Sequence, residues 1–211
     1  MDNNEKLPKG FVYLSDIAPD IEQDVRYATN NNFTGKRVEG YEHPVIILTK
    51  EAAIALRAVQ KDLKNLGLTL KVFDGYRPRR AVDAFKKWAN EPDIVELKQI
   101  YYPNLKKENL FEKGYIADMS FHSRGSAVDL TIINLKDTKE LNMGTIFDYF
   151  DKLSHTDNPN IPEESKKNRR LLNTYMKKHG FENLWCEWWH YTLRNEPYTK
   201  IPDEHFDFIV K

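Results

Sequence analysis

Three segments of the chain repeat apolar residues every three to four positions, which is the spacing of an amphipathic helix. The first segment is predicted to begin after Thr49, a residue type that caps helices, and to end at Leu66. The second is predicted to begin at Pro78, and the third to run from about Pro162 to His179. We therefore expect three main helices.

Runs rich in β-branched and aromatic residues separate these helices, and we interpret them as strands. They are FVYLSDI, DVRYAT, LTLKVFDG, AVDLTII and FENLWCEWWHYTL. Because the order of helices and strands is mixed, we expect an α+β fold in which helices pack a small antiparallel core sheet. Residues 90–118, with short helical pieces, and residues 134–162 are predicted to be long loops, which in a compact domain are usually functional or disordered.

The length and the composition favour one domain that spans residues 1–211. The 32 basic and 32 acidic residues balance, which argues against nucleic acid or an anionic membrane as the main partner. The basic run KKNRR at residues 166–170 is interpreted as a solvated helix face. A single cysteine, Cys186, excludes an internal disulfide and is interpreted as a small buried residue.

The chain contains no stretch of the roughly 20 apolar residues that a membrane helix needs. Its N-terminus, MDNNEKLPKG, also lacks the apolar region of a secretory signal. The chain as given is therefore expected to be cytoplasmic, or periplasmic if a signal sequence was removed from its N-terminus. The sequence leaves the oligomeric state open.

Five ionisable residues lie in or beside apolar, strand-like runs: Arg77, His122, Asp129, Glu187 and His190. A buried ionisable group is costly unless it is paired or bound to a metal, so each of them needs a partner. Two imidazoles and one carboxylate, from His122, Asp129 and His190, match the three protein ligands of catalytic zinc. Glu187 would then be the general base toward a water that zinc activates, and Arg77 would stabilise an oxyanion. The set predicts metal-assisted amide hydrolysis.

The spacing of these residues fits a second interpretation equally well, in which two core histidines hydrogen-bond to an Asp and a Glu. His122 and Asp129 are seven residues apart, which places them on opposite faces of a regular strand. A shared metal therefore requires a turn between them, and Gly125 is predicted to allow it. Glu187 and His190 similarly need a bulge or a strand end to point at one metal.

Five motifs follow one another along the chain: DVRYATNNNFTG, FDGYRPRRA, SFHSRGSAVDLTI, MGTIFD and EWWHYTL. Together they resemble the D-alanyl-D-alanine dipeptidase family, and the resemblance extends from about Val12 to Leu193. This family comprises zinc enzymes related to the D,D-carboxypeptidases of peptidoglycan metabolism and includes the dipeptidase of vancomycin-resistance clusters. The resemblance implies a hedgehog/D,D-peptidase-like fold with long active-site loops.

The resemblance also implies one Zn²⁺ per chain, bound by His122, Asp129 and His190. It implies that Glu187 is the catalytic base and that Arg77 stabilises the transition state. These are the roles that the chemistry of the residues suggests independently.

Three further residues, Tyr27, Ser120 and Asp148, are expected near the substrate on the strength of the same resemblance. An Asp in a closed site would hold the free ammonium of a dipeptide. The implied reaction is hydrolysis of the small dipeptide D-Ala-D-Ala to two D-alanines, linked to peptidoglycan precursor metabolism or glycopeptide resistance. The alternatives are a D,D-carboxypeptidase or endopeptidase acting on longer peptidoglycan peptides, and a non-catalytic zinc-binding module.

Overall fold

The computed structural model describes residues 7–116, 120–198 and 205–211 of the chain. Its α-helices are α1 (Leu14–Ile17), α2 (Lys50–Lys64), α3 (Arg79–Ala89), α4 (Val95–Tyr101), α5 (Glu108–Glu112) and α6 (Glu163–Lys178). Its strands are β1 (Phe11–Tyr13), β2 (Glu22–Gln23), β3 (Ile47–Thr49), β4 (Leu68–Asp74), β5 (Ala127–Asn134), β6 (Phe181–Asn183) and β7 (His190–Leu193). Among these helices, none combines the length and the apolar character that crossing a membrane requires.

The three predicted helices are confirmed as α2, α3 and α6, each within two residues of its expected bounds. At the start of α2, the Thr49 hydroxyl accepts a hydrogen bond from the backbone N–H of Ala52 at 3.4 Å. Pro78 and Pro162 immediately precede α3 and α6, where a missing N–H costs nothing. Local sequence signals therefore account for the three longest helices of the described residues.

Five strands form the central sheet in the order β2-β4-β5-β7-β6. All neighbouring strands are antiparallel except the short parallel pair β2 and β4. Helices α2 and α6 pack against each other and against β4 and β6, respectively. The predicted α+β fold with a small sheet packed by helices is confirmed, with one parallel edge pair added. Strands β1 and β3 form a separate two-stranded sheet.

Three of the strand predictions are wrong in detail. Only the first half of FVYLSDI is a strand, because Leu14 begins the short helix α1. DVRYAT contains a 3₁₀ turn, Arg26–Ala28, held by hydrogen bonds from Ala28 N to Val25 O and from Thr29 N to Arg26 O. FENLWCEWWHYTL is not one strand: the chain folds back, so that β6 and β7 pair with each other in antiparallel fashion.

The basic run at residues 166–170 is only partly the solvated face that we expected. Lys167 and Arg170 are exposed, but Arg169 is buried. The guanidinium of Arg169 donates hydrogen bonds to three backbone carbonyls of the loop before α6, those of Met143, Leu153 and His155, at 2.7–2.9 Å. Burial of this cation is tolerated because carbonyls of the loop accept hydrogen bonds from its donors. These hydrogen bonds also attach the loop to α6.

Candidate active site

Three acidic and imidazole side chains form a row across the middle of the central sheet. In the register of the sheet, Asp129 of β5 lies directly opposite Asp74 of β4 on one side and His190 of β7 on the other. Residues directly opposite in antiparallel strands share one face of the sheet. The pairing between β4 and β5 shifts between Val72 and Asp74, which brings Asp74 opposite Asp129. One face of the sheet therefore presents these polar groups together.

His122 reaches this row through a tight turn. Ser120 caps the 3₁₀ turn Phe121–Arg124 by accepting a hydrogen bond from His122 N at 3.3 Å. Gly125 follows with φ +75° and donates its N–H to the carbonyl of His122 at 2.9 Å. The left-handed backbone at Gly125 reverses the chain before β5 starts, so the seven-residue spacing no longer separates His122 from Asp129. The predicted turn at Gly125 is confirmed.

The side chains of His122, Asp129 and His190 meet at three atoms, and all three side chains are buried. His122 Nε2 lies 3.1 Å from His190 Nδ1 and 3.2 Å from Asp129 Oδ1, and the third side of this triangle measures 3.1 Å. Tetrahedral zinc with bonds of about 2.05 Å separates its ligand atoms by roughly 3.3 Å. The triangle therefore has the size that a tetrahedral zinc site requires.

Hydrogen bonding at the outer nitrogens argues for a cation between these atoms. His122 Nδ1 lies 2.7 Å from the carbonyl of Gly75, which can only accept, so this nitrogen carries the proton and Nε2 of the neutral ring has a lone pair. His190 Nε2 has a partner of its own, the Thr192 hydroxyl at 3.3 Å. Glu187 lies 3.9 Å from His190 Nδ1, too far for the hydrogen bond that the alternative of a plain histidine core pair invokes. The arrangement of His122, Asp129 and His190 therefore fits a metal site better than two core histidines that hydrogen-bond to an Asp and a Glu.

Glu187 lies in the turn between β6 and β7, three residues before the first residue of β7, His190. Its backbone N–H donates to the carbonyl of Leu184 at 2.9 Å, and its carbonyl accepts from the side chain of Asn183. The predicted strand end between Glu187 and His190 is thus present. Burial, together with the negative charges of Asp129 and Asp148, raises the pKa of Glu187 well above its ordinary value. Such a shift suits a general base.

Arg77 lies between Asp74 and Asp129, with only a small part of its side chain exposed. Its Nη2 atom is 2.8 Å from Asp74 Oδ2 and 3.3 Å from Asp129 Oδ2, and its guanidinium carbon lies 5.1 Å from the ring centre of Tyr27. Burial alone would lower its pKa, but Asp74 and the neighbouring acidic groups raise the pKa of Arg77 well above its usual value. Arg77 is therefore a permanent cation beside the triangle.

Tyr27 and Asp148 form a buried pair on the wall of the same cavity. The Tyr27 hydroxyl donates to the carboxylate of Asp148, with distances of 3.0 and 3.2 Å to its two oxygens. Burial and the charge of Asp129 raise the pKa of Asp148 well above its ordinary value. Asp148 also has φ +60°, a conformation that Asp tolerates better than most residues. A carboxylate held in this way would gain from a cationic ligand.

A cavity of about 480 Å³ connects these residues. The eight residues that the sequence singled out all line it: Tyr27, Arg77, Ser120, His122, Asp129, Asp148, Glu187 and His190. Both predicted long loops contribute to its wall, the first through residues 114–116 and the second through Asp148 and Phe150. The volume falls in the range of small-molecule sites. Ser120, which is half-buried, already uses its hydroxyl in the turn that carries His122.

Asp74 and Gly75 support the site, although the sequence analysis assigned no role to either of them. The Gly75 carbonyl orients the His122 ring, and a side chain at Gly75 would lie 2.7 Å from the carbonyl of Ile47. Asp74 is fully buried beneath Arg77. The signal for Asp74 was present, since it is an acidic residue at the end of the apolar strand LTLKVFD, where burial demands a partner.

Comparison with known proteins gives one consistent result. The family model described as "D-ala-D-ala dipeptidase" matches residues 8–211. The D-alanyl-D-alanine dipeptidase of Enterococcus faecalis is 44% identical over 204 residues, which cover 97% of this chain and 100% of the relative. The protein of the same name from Streptomyces coelicolor is 42% identical, covering 95% and 98%. That of Escherichia coli is 33% identical, covering 94% and 93%.

Proposed function

The chain belongs to the D-Ala-D-Ala dipeptidase family, and on that premise we propose that it hydrolyses D-Ala-D-Ala to two molecules of D-alanine with the help of bound zinc. The observation that carries this proposal is the triangle of His122, Asp129 and His190 ligand atoms, with sides of 3.1–3.2 Å, in a cavity that Glu187 and Arg77 also line. A non-catalytic zinc module would need neither Glu187 nor Arg77 in that cavity.

His122, Asp129 and His190 would hold one zinc ion per chain. Bound there, zinc would supply Lewis acidity toward the peptide carbonyl and would lower the pKa of water. The protein prepares the ligands for it: Gly75 fixes the proton of His122 on Nδ1, and the two histidines hold the pKa of Asp129 well below its ordinary value, although burial alone would raise it. Metal binding would need all three ligands in their deprotonated form, and the Gly75 contact leaves Nε2 as the nitrogen through which His122 would bind.

Glu187 is the general base in this proposal. Its carboxylate accepts a proton from the attacking water and returns it to the amine that leaves when the peptide bond breaks. Arg77 donates hydrogen bonds to the peptide oxygen as negative charge develops there, which stabilises the transition state more than the substrate. Asp74 and its other neighbours raise the pKa of Arg77, which keeps it charged throughout.

Asp148 and Tyr27 would recognise the free ammonium of the dipeptide. The Asp148 carboxylate is buried and lines the cavity, and within the described part of the chain its hydrogen bonds come from the Tyr27 hydroxyl, so a charged ligand could still pair with it. An acylated amine offers no charge and would leave the carboxylate unpaired, which a buried site penalises strongly. We infer that the enzyme prefers free dipeptides to longer peptides, and that Ser120 contacts the substrate at the cavity wall.

A direct comparison of substrates tests this proposal. The zinc-loaded protein is incubated with D-Ala-D-Ala and, separately, with an N-acylated tripeptide ending in D-Ala-D-Ala, and released D-alanine is measured. We expect kcat/KM to favour the free dipeptide by at least about 10²-fold. A preference for the acylated peptide would instead support a D,D-carboxypeptidase or endopeptidase. No D-alanine from either substrate would contradict hydrolysis altogether.

The setting that we propose is peptidoglycan precursor metabolism, including glycopeptide resistance. Hydrolysis of D-Ala-D-Ala removes the building block from which precursors with a D-Ala-D-Ala end are made. Expression of the protein in bacteria should therefore lower the pool of these precursors, measured by mass spectrometry of cell extracts. A Glu187→Gln variant expressed at the same level is the control, and an equal fall with both proteins would contradict a catalytic origin.

A further inference from the structure

Asp74 is an acidic residue beside the site to which the reaction itself gives no role. It is the last residue of β4, fully buried, and lies in the sheet directly opposite Asp129. It does not belong to the triangle of ligand atoms, and the cavity is not lined by it. A buried carboxylate is costly unless its partners satisfy it, so its contacts indicate what it does.

Both oxygens of Asp74 have partners. Oδ2 accepts a hydrogen bond from Arg77 Nε at 2.9 Å and forms an ion pair with Nη2 at 2.8 Å. Oδ1 accepts a hydrogen bond from the Tyr41 hydroxyl at 2.7 Å. Burial, and then the charge of Asp74, raises the pKa of Tyr41 well above its ordinary value, so this hydroxyl remains a donor. The carboxylate is therefore fixed by Tyr41 at Oδ1 and holds Arg77 through Oδ2.

The contacts of Arg77 with Asp74 and Asp129 leave one nitrogen of its guanidinium, Nη1, without a hydrogen-bond partner among the described residues. Among the described residues, the hydrogen bonds of the Arg77 side chain use Nε and Nη2, and none uses Nη1. The rings of Tyr27 and Phe85 lie 5.1 and 5.3 Å from the guanidinium carbon and limit its rotation. Arginine has many rotamers, and a hydrogen-bonded carboxylate below it removes most of that freedom. Arg77 lines the cavity, and Nη1 is the guanidinium nitrogen that these hydrogen bonds leave uncommitted.

A role of Asp74 through the metal ligands is less well supported by the distances. His122 Nδ1 is 3.5 Å from Asp74 Oδ2 but only 2.7 Å from the carbonyl of Gly75, which already fixes the ring. The shorter and better-directed contacts of Asp74 are those to Arg77.

We propose that Asp74, braced by Tyr41, is a positioning residue that holds Arg77 in the orientation in which it stabilises the transition state. This inference rests on the proposed hydrolysis of D-Ala-D-Ala. Without Asp74, the Arg77 guanidinium would turn toward the remaining carboxylate within reach, that of Asp129, 3.3 Å away. Substrate binding would change little, because Asp74 itself touches no part of the cavity.

A double-mutant cycle tests this assignment. Asp74→Asn is expected to lower kcat about 10- to 100-fold, as loss of an orienting partner does, with KM changed less than about threefold. Tyr41→Phe is expected to lower kcat less, by about 3- to 10-fold. In an Arg77→Ala background, both substitutions are expected to cost less than about twofold, because the residue through which they act is gone. Zinc content per chain should be the same in all variants.

The matched control is Asp207→Asn, which removes an Asp–Arg pair of the same kind, to Arg80, at the surface. It should leave kcat and KM unchanged. Full kcat in Asp74→Asn, equal losses with and without Arg77, or loss of zinc from Asp74→Asn would each overturn the inference. If Asp74→Asn does not fold, the Tyr41→Phe arm of the cycle decides by the same criteria. Inactivity of the unmutated protein would contradict the proposed function instead.

Discussion

Gly125→Ala is the substitution that tests most sharply how the local backbone builds the site. Gly125 has φ +75°, and a side chain in this left-handed region costs about 1–2 kcal/mol. A Cβ atom at this position would lie 2.2 Å from Cε1 of Phe11. The Phe11 ring is buried against those of Tyr76, Phe206 and Phe208, and such overpacking costs about 1–3 kcal/mol. We expect a total destabilisation of about 2–5 kcal/mol.

Gly67→Ala is the matched control. Gly67 has φ +73°, almost the same conformation, but a Cβ atom there would meet nothing within 4 Å. It should lose only the backbone part, about 1–2 kcal/mol. Since each kcal/mol shifts the thermal midpoint of a chain of this size by roughly 2–4 °C, Gly125→Ala should unfold about 4–20 °C below the unmutated protein and Gly67→Ala about 2–8 °C below it.

The assay is thermal unfolding of the metal-free proteins, followed by zinc titration. Gly125→Ala should also bind zinc more weakly than Gly67→Ala, because the Gly125 turn brings His122 to Asp129. Equal unfolding midpoints and equal zinc affinities in the two variants would refute the inference that the contact with Phe11 and the position of His122 both require glycine at position 125.

Three further predictions concern buried polar groups. The pKa of Asp148 is raised in the folded protein, so the stability that Asp148 contributes is present below its unfolded pKa and is lost as pH rises through its folded pKa. The metal-free Asp148→Asn variant should therefore unfold at a higher temperature than the unmutated protein at pH 7, and this difference should close toward pH 4. A difference that does not depend on pH would contradict the prediction. Lys107→Met should lower the free energy of unfolding in urea by about 1–3 kcal/mol, because the Lys107 ammonium donates to the carbonyls of Trp88, Glu91 and Pro92 at 3.0–3.1 Å; an unchanged midpoint would speak against it. Burial raises the pKa of the Cys186 thiol to about 12, so iodoacetamide at pH 8 should alkylate it only after unfolding, and mass spectrometry that finds rapid labelling of the folded protein would contradict its burial.

Features set by local chemistry were predicted well from the sequence. The caps and periodicity of α2 were enough to place it, and Gly125 was identified as a turn because few other residues adopt its backbone conformation. The proximity of His122, Asp129 and His190 was also predicted, from the argument that buried imidazole and carboxylate groups each need a partner.

Features set by distant contacts were missed. The aromatic run FENLWCEWWHYTL has the same β propensity in its strands as in the turn at residues 184–189, so nothing local marks where the chain folds back. The parallel pairing of β2 with β4 joins segments far apart in the chain. Asp74 and Tyr41 are 33 residues apart, and Arg169 is buried only because a loop 14–26 residues away accepts its hydrogen bonds. These contacts arise only when the chain packs.

The central claim is that one metal, held by His122, Asp129 and His190, works together with Glu187 in peptide hydrolysis. The most direct measurement is a zinc titration of the metal-free protein and of the Glu187→Gln variant, with D-alanine release from D-Ala-D-Ala followed at each step. We predict that both proteins bind one zinc per chain, that the activity of the unmutated protein rises to a plateau at one equivalent, and that the plateau of the variant is at least about 10²-fold lower. Full activity without zinc, or equal plateaus in the two proteins, would contradict the account.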